Sequence, residues 1–245
     1  MTEIRFQRER CARNITMSPR KKNIFRRLIL FCGFGPLVAP LGAAGTTYGT
    51  TLTTPITRSQ LTGADGFIKR WMLLEPIPVS GLTESAVQTI VKKEYFPDQF
   101  ALIPKDGAKE TVDGSALIWH SVDTKLYNVN LYHFAYALKM PTSNVLFWVV
   151  TIVNSPHEMK NVRLAIGSNA ASVWWLNGQE VIGIYGDRQT VIDDGVSKRL
   201  TLRKGPNVVR AAVVNGGGAT DFCARFLDSD DKPIPGLTIS LKQSP

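Results

Sequence analysis

The feature that most constrains this chain is a stretch of small and apolar residues at positions 170–185, which is interrupted by Asn177-Gly178. Asn-Gly between two apolar runs is the strongest short-range signal for a β-hairpin, because both residues accept the positive φ angles of a type I′ turn. Successive strand side chains point to opposite faces, so Trp174 and Trp175 must lie on different sides of the sheet. We therefore expect one tryptophan in the core and the other on an outward face.

A second strand–turn–strand pattern follows this hairpin after a polar loop. Residues 198–202 and 208–215 are predicted strands, and the turn between them contains Lys204-Gly205-Pro206-Asn207. The order strand, Asn-Gly, strand, polar loop, strand, Lys-Gly-x-Asn, strand is typical of antiparallel β structure.

Short apolar runs separated by turn signals about every 8–12 residues continue through the body of the chain, as in β-sandwiches. Further predicted strands cover residues 66–76, 116–120, 131–138, 145–153, 162–168, 222–227 and 237–241. One short helix is expected after Thr83, a good N-cap, with an apolar face formed by Ala86, Val87, Ile90 and Val91. The predicted fold class is all-β, an antiparallel jelly-roll β-sandwich with one short helix.

The net charge of +9 is concentrated in the first 27 residues. Nine Lys and Arg against Glu3 and Glu9 give that segment +7, so the other 218 residues carry only +2. The body therefore has no basic stripe, and nucleic acid is not expected as a partner. A basic segment at 20–27, an apolar run at 28–41 and small residues at 42–44 are similar to a bacterial secretory signal peptide.

These patterns divide the chain into a leader with a signal peptide at 1–44, a flexible Thr/Gly/Ser-rich linker at 45–62, and a β-sandwich domain at 63–245. The start codon is left open between Met1 and Met17. The apolar run is too short for a stable membrane span after signal cleavage, so the expected localisation is secreted or periplasmic. Only Cys223 of the three cysteines lies in the body, which leaves no internal disulfide.

The hairpin sequence Val-Trp-Trp-Leu-Asn-Gly-Gln-Glu-Val and the later Leu-Arg-Lys-Gly-Pro-Asn-Val-Val-Arg resemble the galactose-binding-like jelly roll, over roughly residues 162–241. That fold includes the sugar-binding domain of family 2 glycoside hydrolases. Three further segments, at 67–77, 95–100 and 128–138, extend the resemblance to a non-catalytic module associated with acetylxylan esterases of polysaccharide-degrading Bacteroidetes. The resemblance implies a carbohydrate-associated accessory domain, with a polysaccharide or oligosaccharide as partner and a carbohydrate esterase or glycoside hydrolase beside it.

The sequence does not favour an independent active site. It lacks the Gly-x-Ser-x-Gly elbow of serine hydrolases, and only His120, His133 and His157 could act as a base. We interpret His133 as a core histidine and Cys223 as a small buried strand residue rather than a nucleophile. No catalytic residue is assigned, and an acetylxylan esterase, or a fragment of one, remains an alternative.

Sugar binding needs an aromatic face for the apolar side of a pyranose and polar groups for its hydroxyls. The candidates are Trp174 or Trp175, the polar loop with Tyr185, Asp187, Arg188 and Gln189, and Asn215 and Asp221, which flank a Gly-rich loop. We expect these residues to share one rim of the sandwich. Two open alternatives are that Asp187 and Arg188 form an ordinary loop ion pair, and that the domain serves only protein–protein interaction.

No cofactor is predicted. A structural Ca²⁺ ion is a lesser alternative, because Asp228, Asp230 and Asp231 are spaced like turn acids and lack a nearby glutamate to complete a calcium loop. The predicted function is an exported, non-catalytic, carbohydrate-binding module of plant-polysaccharide degradation.

Overall fold

A computed structural model describes residues 47–242 of the chain, and the expected leader and signal peptide at 1–44 lie outside these residues. The described part is mostly β-strand, which confirms the predicted all-β class. Its strands are β1 (Thr47–Tyr48), β2 (Leu52–Thr53), β3 (Ser59–Leu61), β4 (Arg70–Leu74), β5 (Ile77–Pro78), β6 (Lys109–Val112), β7 (Ser115–Thr124), β8 (Val129–Asn130), β9 (Val145–Ser155), β10 (Met159–Asn169), β11 (Ser172–Leu176), β12 (Gln179–Ile184), β13 (Gly195–Val196), β14 (Leu200–Leu202), β15 (Gly205–Asn215), β16 (Asp221–Leu227) and β17 (Thr238–Ser240). The helices among these residues are α1 (Glu84–Lys92) and α2 (Leu131–Ala137).

Two antiparallel sheets form the sandwich. The main sheet has the strand order β1-β2-β7-β4-β9-β15-β11-β12, and β3, β5, β6 and β17 pair with strands along it. The smaller sheet has the order β13-β10-β16-β8, with β14 paired to β10. At the centre of the main sheet, β9 and β15 pair over eleven residues, from Val145↔Asn215 to Ser155↔Gly205.

The predicted hairpin is β11–β12, with Asn177 at φ 53° and Gly178 at φ 84°, as a type I′ turn requires. Trp174 and Leu176 face the core between the two sheets. Val173 and Trp175 face a second apolar core on the opposite side of the main sheet. The predicted alternation is therefore confirmed, but both faces of the strand are covered.

The second core lies under α1 and the loop that follows it. Val87 and Val91 of α1 and Phe96 of the loop are buried against the outer face of the main sheet. The helix begins as predicted, because the Thr83 hydroxyl accepts a hydrogen bond from the Ala86 amide at 3.3 Å. Its buried positions follow a helical spacing, which places one apolar stripe on the sheet.

The expected strand at 131–138 is wrong, since these residues form α2, and the sandwich therefore has two helices rather than one. The Asn130 side chain caps the helix by accepting a hydrogen bond from the His133 amide at 2.7 Å. Leu131, Phe134 and Ala135 are its buried residues, with the i, i+3, i+4 spacing of one helical face. The aromatic content of the segment favours a strand, but the cap and this spacing outweigh that preference.

The expected flexible linker at 45–62 is also wrong over its described part, 47–62. Strand β1 pairs with β2, β2 pairs with β7 in the main sheet, and β3 pairs with β17. Tyr48 and Leu52 are buried in the core between the sheets. Strands of two or three residues are too short to produce a recognisable periodicity, so the polar composition suggested a linker.

Among residues 47–242, no helix is long and apolar enough to cross a membrane.

Helix α2 provides a test of this packing. Phe134 is fully buried, whereas Tyr136, two residues later, is 69% exposed. We expect Phe134→Ala to lower the free energy of unfolding by about 3–5 kcal/mol, because the truncation leaves a cavity in the core. Urea denaturation followed by tryptophan fluorescence measures this change.

Tyr136→Ala is the matched control, and its effect should stay within about 0.5 kcal/mol because the side chain is exposed and alanine favours helices. Equal losses in the two variants would contradict the assignment of Phe134 to the core.

Candidate functional site

A cavity of about 470 Å³ lies at one end of the main sheet, where β11 begins and β12 and β15 end. Its apolar wall comes from Leu82 and Val87 at the start of α1, together with Ala171 and Val214 from the strand ends. Its other wall comes from Tyr185 and Asp187, with the backbone of Gly216 and Gly217. The volume is in the range of pockets that bind small molecules.

Tyr185 is half-buried and is held against its own hairpin. Its hydroxyl lies so close to Gly183 that a Cβ atom there would be 2.7 Å from it, so a side chain at this position would require the Tyr185 ring to shift. The Lys92 ammonium lies 5.8 Å from the centre of the Tyr185 ring and forms a 3.0 Å ion pair with Glu180. The pKa of Lys92 is raised, first by its hydrogen bond to Glu180 and next by its contact with Tyr185.

The other residues of the predicted polar loop have different roles. Asp187 is exposed and lines the cavity, whereas Gln189 is exposed and lies outside the lining. Arg188 forms an ion pair with Asp194, so the alternative of an ion pair with its sequence neighbour Asp187 is wrong. The neighbouring Asp193 binds Arg225, which places the two adjacent acids in separate ion pairs.

Asn215 and Asp221 position the loops around the cavity instead of lining it. The amide of Asn215, which is 1% exposed, donates to the carbonyl oxygens of Thr142 at 2.6 Å and Gly218 at 3.3 Å. The Asp221 carboxylate accepts hydrogen bonds from Asn128 and Thr190. These contacts fix the Gly-rich loop and tie the 185–194 loop to the start of β16.

The expectation of an outward tryptophan is wrong. Trp174 is 0% exposed and donates through Nε1 to the Ser172 hydroxyl at 2.9 Å. Trp175 is 6% exposed and packs against Trp148 and Phe100 in the second core. Because both faces of the main sheet are covered, neither ring can serve as a platform for a ligand.

No sequence pattern indicated the part of the cavity wall that Leu82 and Val87 contribute. These residues reach the cavity only because α1 packs on the ends of β11 and β15. The Gly-rich loop was visible in the sequence, but its place beside the Tyr185 cavity depends on the pairing of β15 with β11.

The histidines lie away from this cavity. His120 is held between Glu75, at 3.2 Å from Nε2, and the Tyr48 hydroxyl, at 3.1 Å from Nδ1. Burial raises the pKa of Tyr48, which keeps the phenol protonated and makes it a poor nucleophile. His133 lies on α2 rather than in the expected strand.

Asp228, Asp230 and Asp231 do not fit a calcium site. The Asp228 carboxylate accepts hydrogen bonds from the amides of Asp230 at 2.8 Å and Lys232 at 2.9 Å. Asp231 forms an ion pair with Arg199 at 3.1 Å. Over the described 47–242 range, no group of three or more His, Cys, Asp or Glu side chains is arranged to hold a metal ion.

Comparisons with known proteins do not assign a family. No family model matches the sequence, and no curated protein matches it. Similar solved structures include the PA14 domain of the MpAFP antifreeze protein, with 8% identity, 68% of this chain and 85% of that chain covered, and a TM-score of 0.39.

The PA14 sugar-binding domain of an RTX adhesin has 12% identity, coverage of 72% and 99%, and a TM-score of 0.39. A β-glucosidase from Kluyveromyces marxianus, solved with glucose, has 15% identity and a TM-score of 0.36, and 74% of this chain matches only 20% of that enzyme. At these identities and TM-scores the similarities assign neither a family nor a ligand.

Cys223 provides a test of the assignment of this residue to the core. The thiol is buried, and burial raises its pKa to about 12. Because the thiolate is the reactive form, we expect no modification of Cys223 by iodoacetamide at pH 8 in the folded protein. Peptide mass mapping measures the modified fraction, and 8 M urea should make the residue reactive.

The sign of the pH dependence follows from the same shift. The folded state keeps the thiol protonated above its ordinary pKa, so its contribution to stability is present below that pKa and is lost as pH rises towards 12. Rapid modification of the folded protein at pH 8 would contradict this account.

Proposed function

We propose that this domain is a non-catalytic carbohydrate-binding module. The observation that carries the proposal is the cavity at the end of β11 and β12, which combines the Tyr185 ring and an apolar wall with the Asp187 carboxylate. A pyranose presents an apolar face and a ring of hydroxyls, so an aromatic surface beside a carboxylate matches both parts of it.

The surroundings of the cavity support a preformed site. Asn215 fixes the Gly-rich loop, Asp221 ties down the loop that follows Tyr185, and Lys92 holds the Tyr185 ring. A site that is ordered before the ligand arrives loses less conformational entropy on binding.

We further propose that the module is exported and holds plant polysaccharide beside an acetylxylan esterase or a glycosidase. The basic and apolar leader supports export, and the resemblance to the galactose-binding-like, esterase-associated module supports the accessory role. A pure protein-interaction domain is less well supported, because Tyr185 is half exposed and lines a cavity instead of being buried.

The test is a calorimetric titration of the protein with xylo-oligosaccharides, acetylated xylan and galactose-containing oligosaccharides. We expect saturable binding of at least one of these sugars. Tyr185→Ala should weaken it by about fivefold or more through loss of the stacking surface. Asp187→Asn should weaken it by about tenfold through loss of a charge-assisted hydrogen bond.

Tyr136→Ala is the control for these variants, because it removes an exposed tyrosine that does not line the cavity. Its affinity should equal that of the unmodified protein. An equal loss in Tyr136→Ala, or no saturable binding of any of these sugars, would overturn the proposed site. Acetate release from acetylated xylan in the same samples would instead support the esterase alternative.

A further inference from the structure

A second cavity, of about 540 Å³, lies at the other end of the same hairpin. It adjoins the Asn177-Gly178 turn, whereas the cavity with Tyr185 lies where β11 begins and β12 ends. The two cavities are separated by the length of β11, which is roughly 15 Å for five residues. The two cavities therefore share the hairpin but are lined by different residues and different loops.

Two arginines contribute to the polar side of this second cavity. Arg199, Thr201 and Arg203 line it, with Arg199 and Arg203 on either side of β14. Leu202 is buried in the core, whereas Leu200 packs partly against the core and also lines the cavity. Both arginines therefore belong to the cavity lining, one just before and one just after β14.

The two arginines differ in whether their guanidinium groups have hydrogen-bond or ion-pair partners. Arg199 donates through Nη1 to the carbonyl oxygens of Asn161 and Asp228, each at 2.9 Å, and pairs with Asp231. The Arg203 guanidinium has no hydrogen bond or ion pair within residues 47–242 and is exposed. Arg203 therefore leaves a free, planar set of donors at the cavity.

The backbone of Arg203 is nevertheless fixed. Buried Asn207 accepts a hydrogen bond from the Arg203 amide at 2.9 Å and donates to its carbonyl oxygen at 2.8 Å. Asn177 donates to Asn207 at 3.0 Å, so one pair of amides holds both the hairpin turn and the turn that carries Arg203. The unpaired guanidinium is thus attached to a backbone segment that hydrogen bonds hold in place.

The other lining residues indicate what kind of ligand would fit beside Arg203. Gln179, Thr201 and Asn161 offer amide and hydroxyl groups, and Leu176, Val181 and Leu200 offer an apolar floor. The acid in the lining, Glu158, pairs with Lys160 at 3.4 Å, which partly offsets its charge. We propose that this cavity binds a carboxylated sugar, a uronic acid residue, with Arg203 as the partner of its carboxylate.

Arginine suits this role because its guanidinium can donate two parallel hydrogen bonds to one carboxylate. The site goes beyond the proposed function, since it uses other residues and selects for charge on the sugar. If this cavity does not bind a sugar acid, the proposal for the Tyr185 cavity still stands, because different variants and different sugars test the two cavities.

The test is a calorimetric titration of the protein with tetragalacturonic acid, with its fully methyl-esterified form, and with sodium sulfate. We expect saturable binding of the acid and no binding of the neutral ester, which keeps the sugar ring but removes the charge. Arg203→Gln should weaken binding of the acid by about tenfold or more, and Arg203→Lys by less. The affinity should fall as salt is raised.

Lys204→Gln is the matched control, because it removes the neighbouring exposed cation, which does not line the cavity. Its affinity should stay close to that of the unmodified protein. Equal losses in Arg203→Gln and Lys204→Gln would overturn the proposal in favour of non-specific charge attraction. Equal binding of the methyl ester, or sulfate binding as tightly as the sugar acid, would overturn it too.

Discussion

The rest of the structure depends on the burial of the main sheet on both of its faces. Antiparallel sheets commonly keep one face in water, and their strands then alternate apolar and polar residues. Here β9 reads Val-Leu-Phe-Trp-Val-Val-Thr-Ile-Val, and every one of these side chains is buried. The smaller sheet covers one face, while α1 and the loop after it cover the other.

Covering the second face also buries a charged group, the Arg210 guanidinium, which is held by two backbone carbonyl groups. Arg210 is 3% exposed, and its Nη2 donates to the carbonyl oxygens of Ala101 at 2.6 Å and Leu102 at 3.0 Å. Burial lowers the pKa of this guanidinium, which records the cost of its desolvation. Because a buried unpaired charge is expensive, this contact commits the loop at 101–102 to the sheet.

The sequence predicted features that depend on a few neighbouring residues. Asn177-Gly178 defined the hairpin and its two faces, and Thr83 defined the start of α1. The burial of both tryptophans depends on which elements cover the sheet, and no local pattern carries that information. In the same way, Tyr185 and Asp187 were visible as candidates, but the cavity they line needs α1 and the Gly-rich loop, which are distant in the sequence.

With both faces covered, the central strand β9 and the nearby strand β11 leave almost no side-chain surface for a ligand. Both proposed ligand sites accordingly lie near strand ends, where loops bring unpaired side chains together on a rigid base. The β11–β12 hairpin has such a cavity at each end, one with Tyr185 and Asp187 and one with Arg203. The two buried tryptophans thus support both proposed sites indirectly, since they fix the hairpin on which both cavities are built.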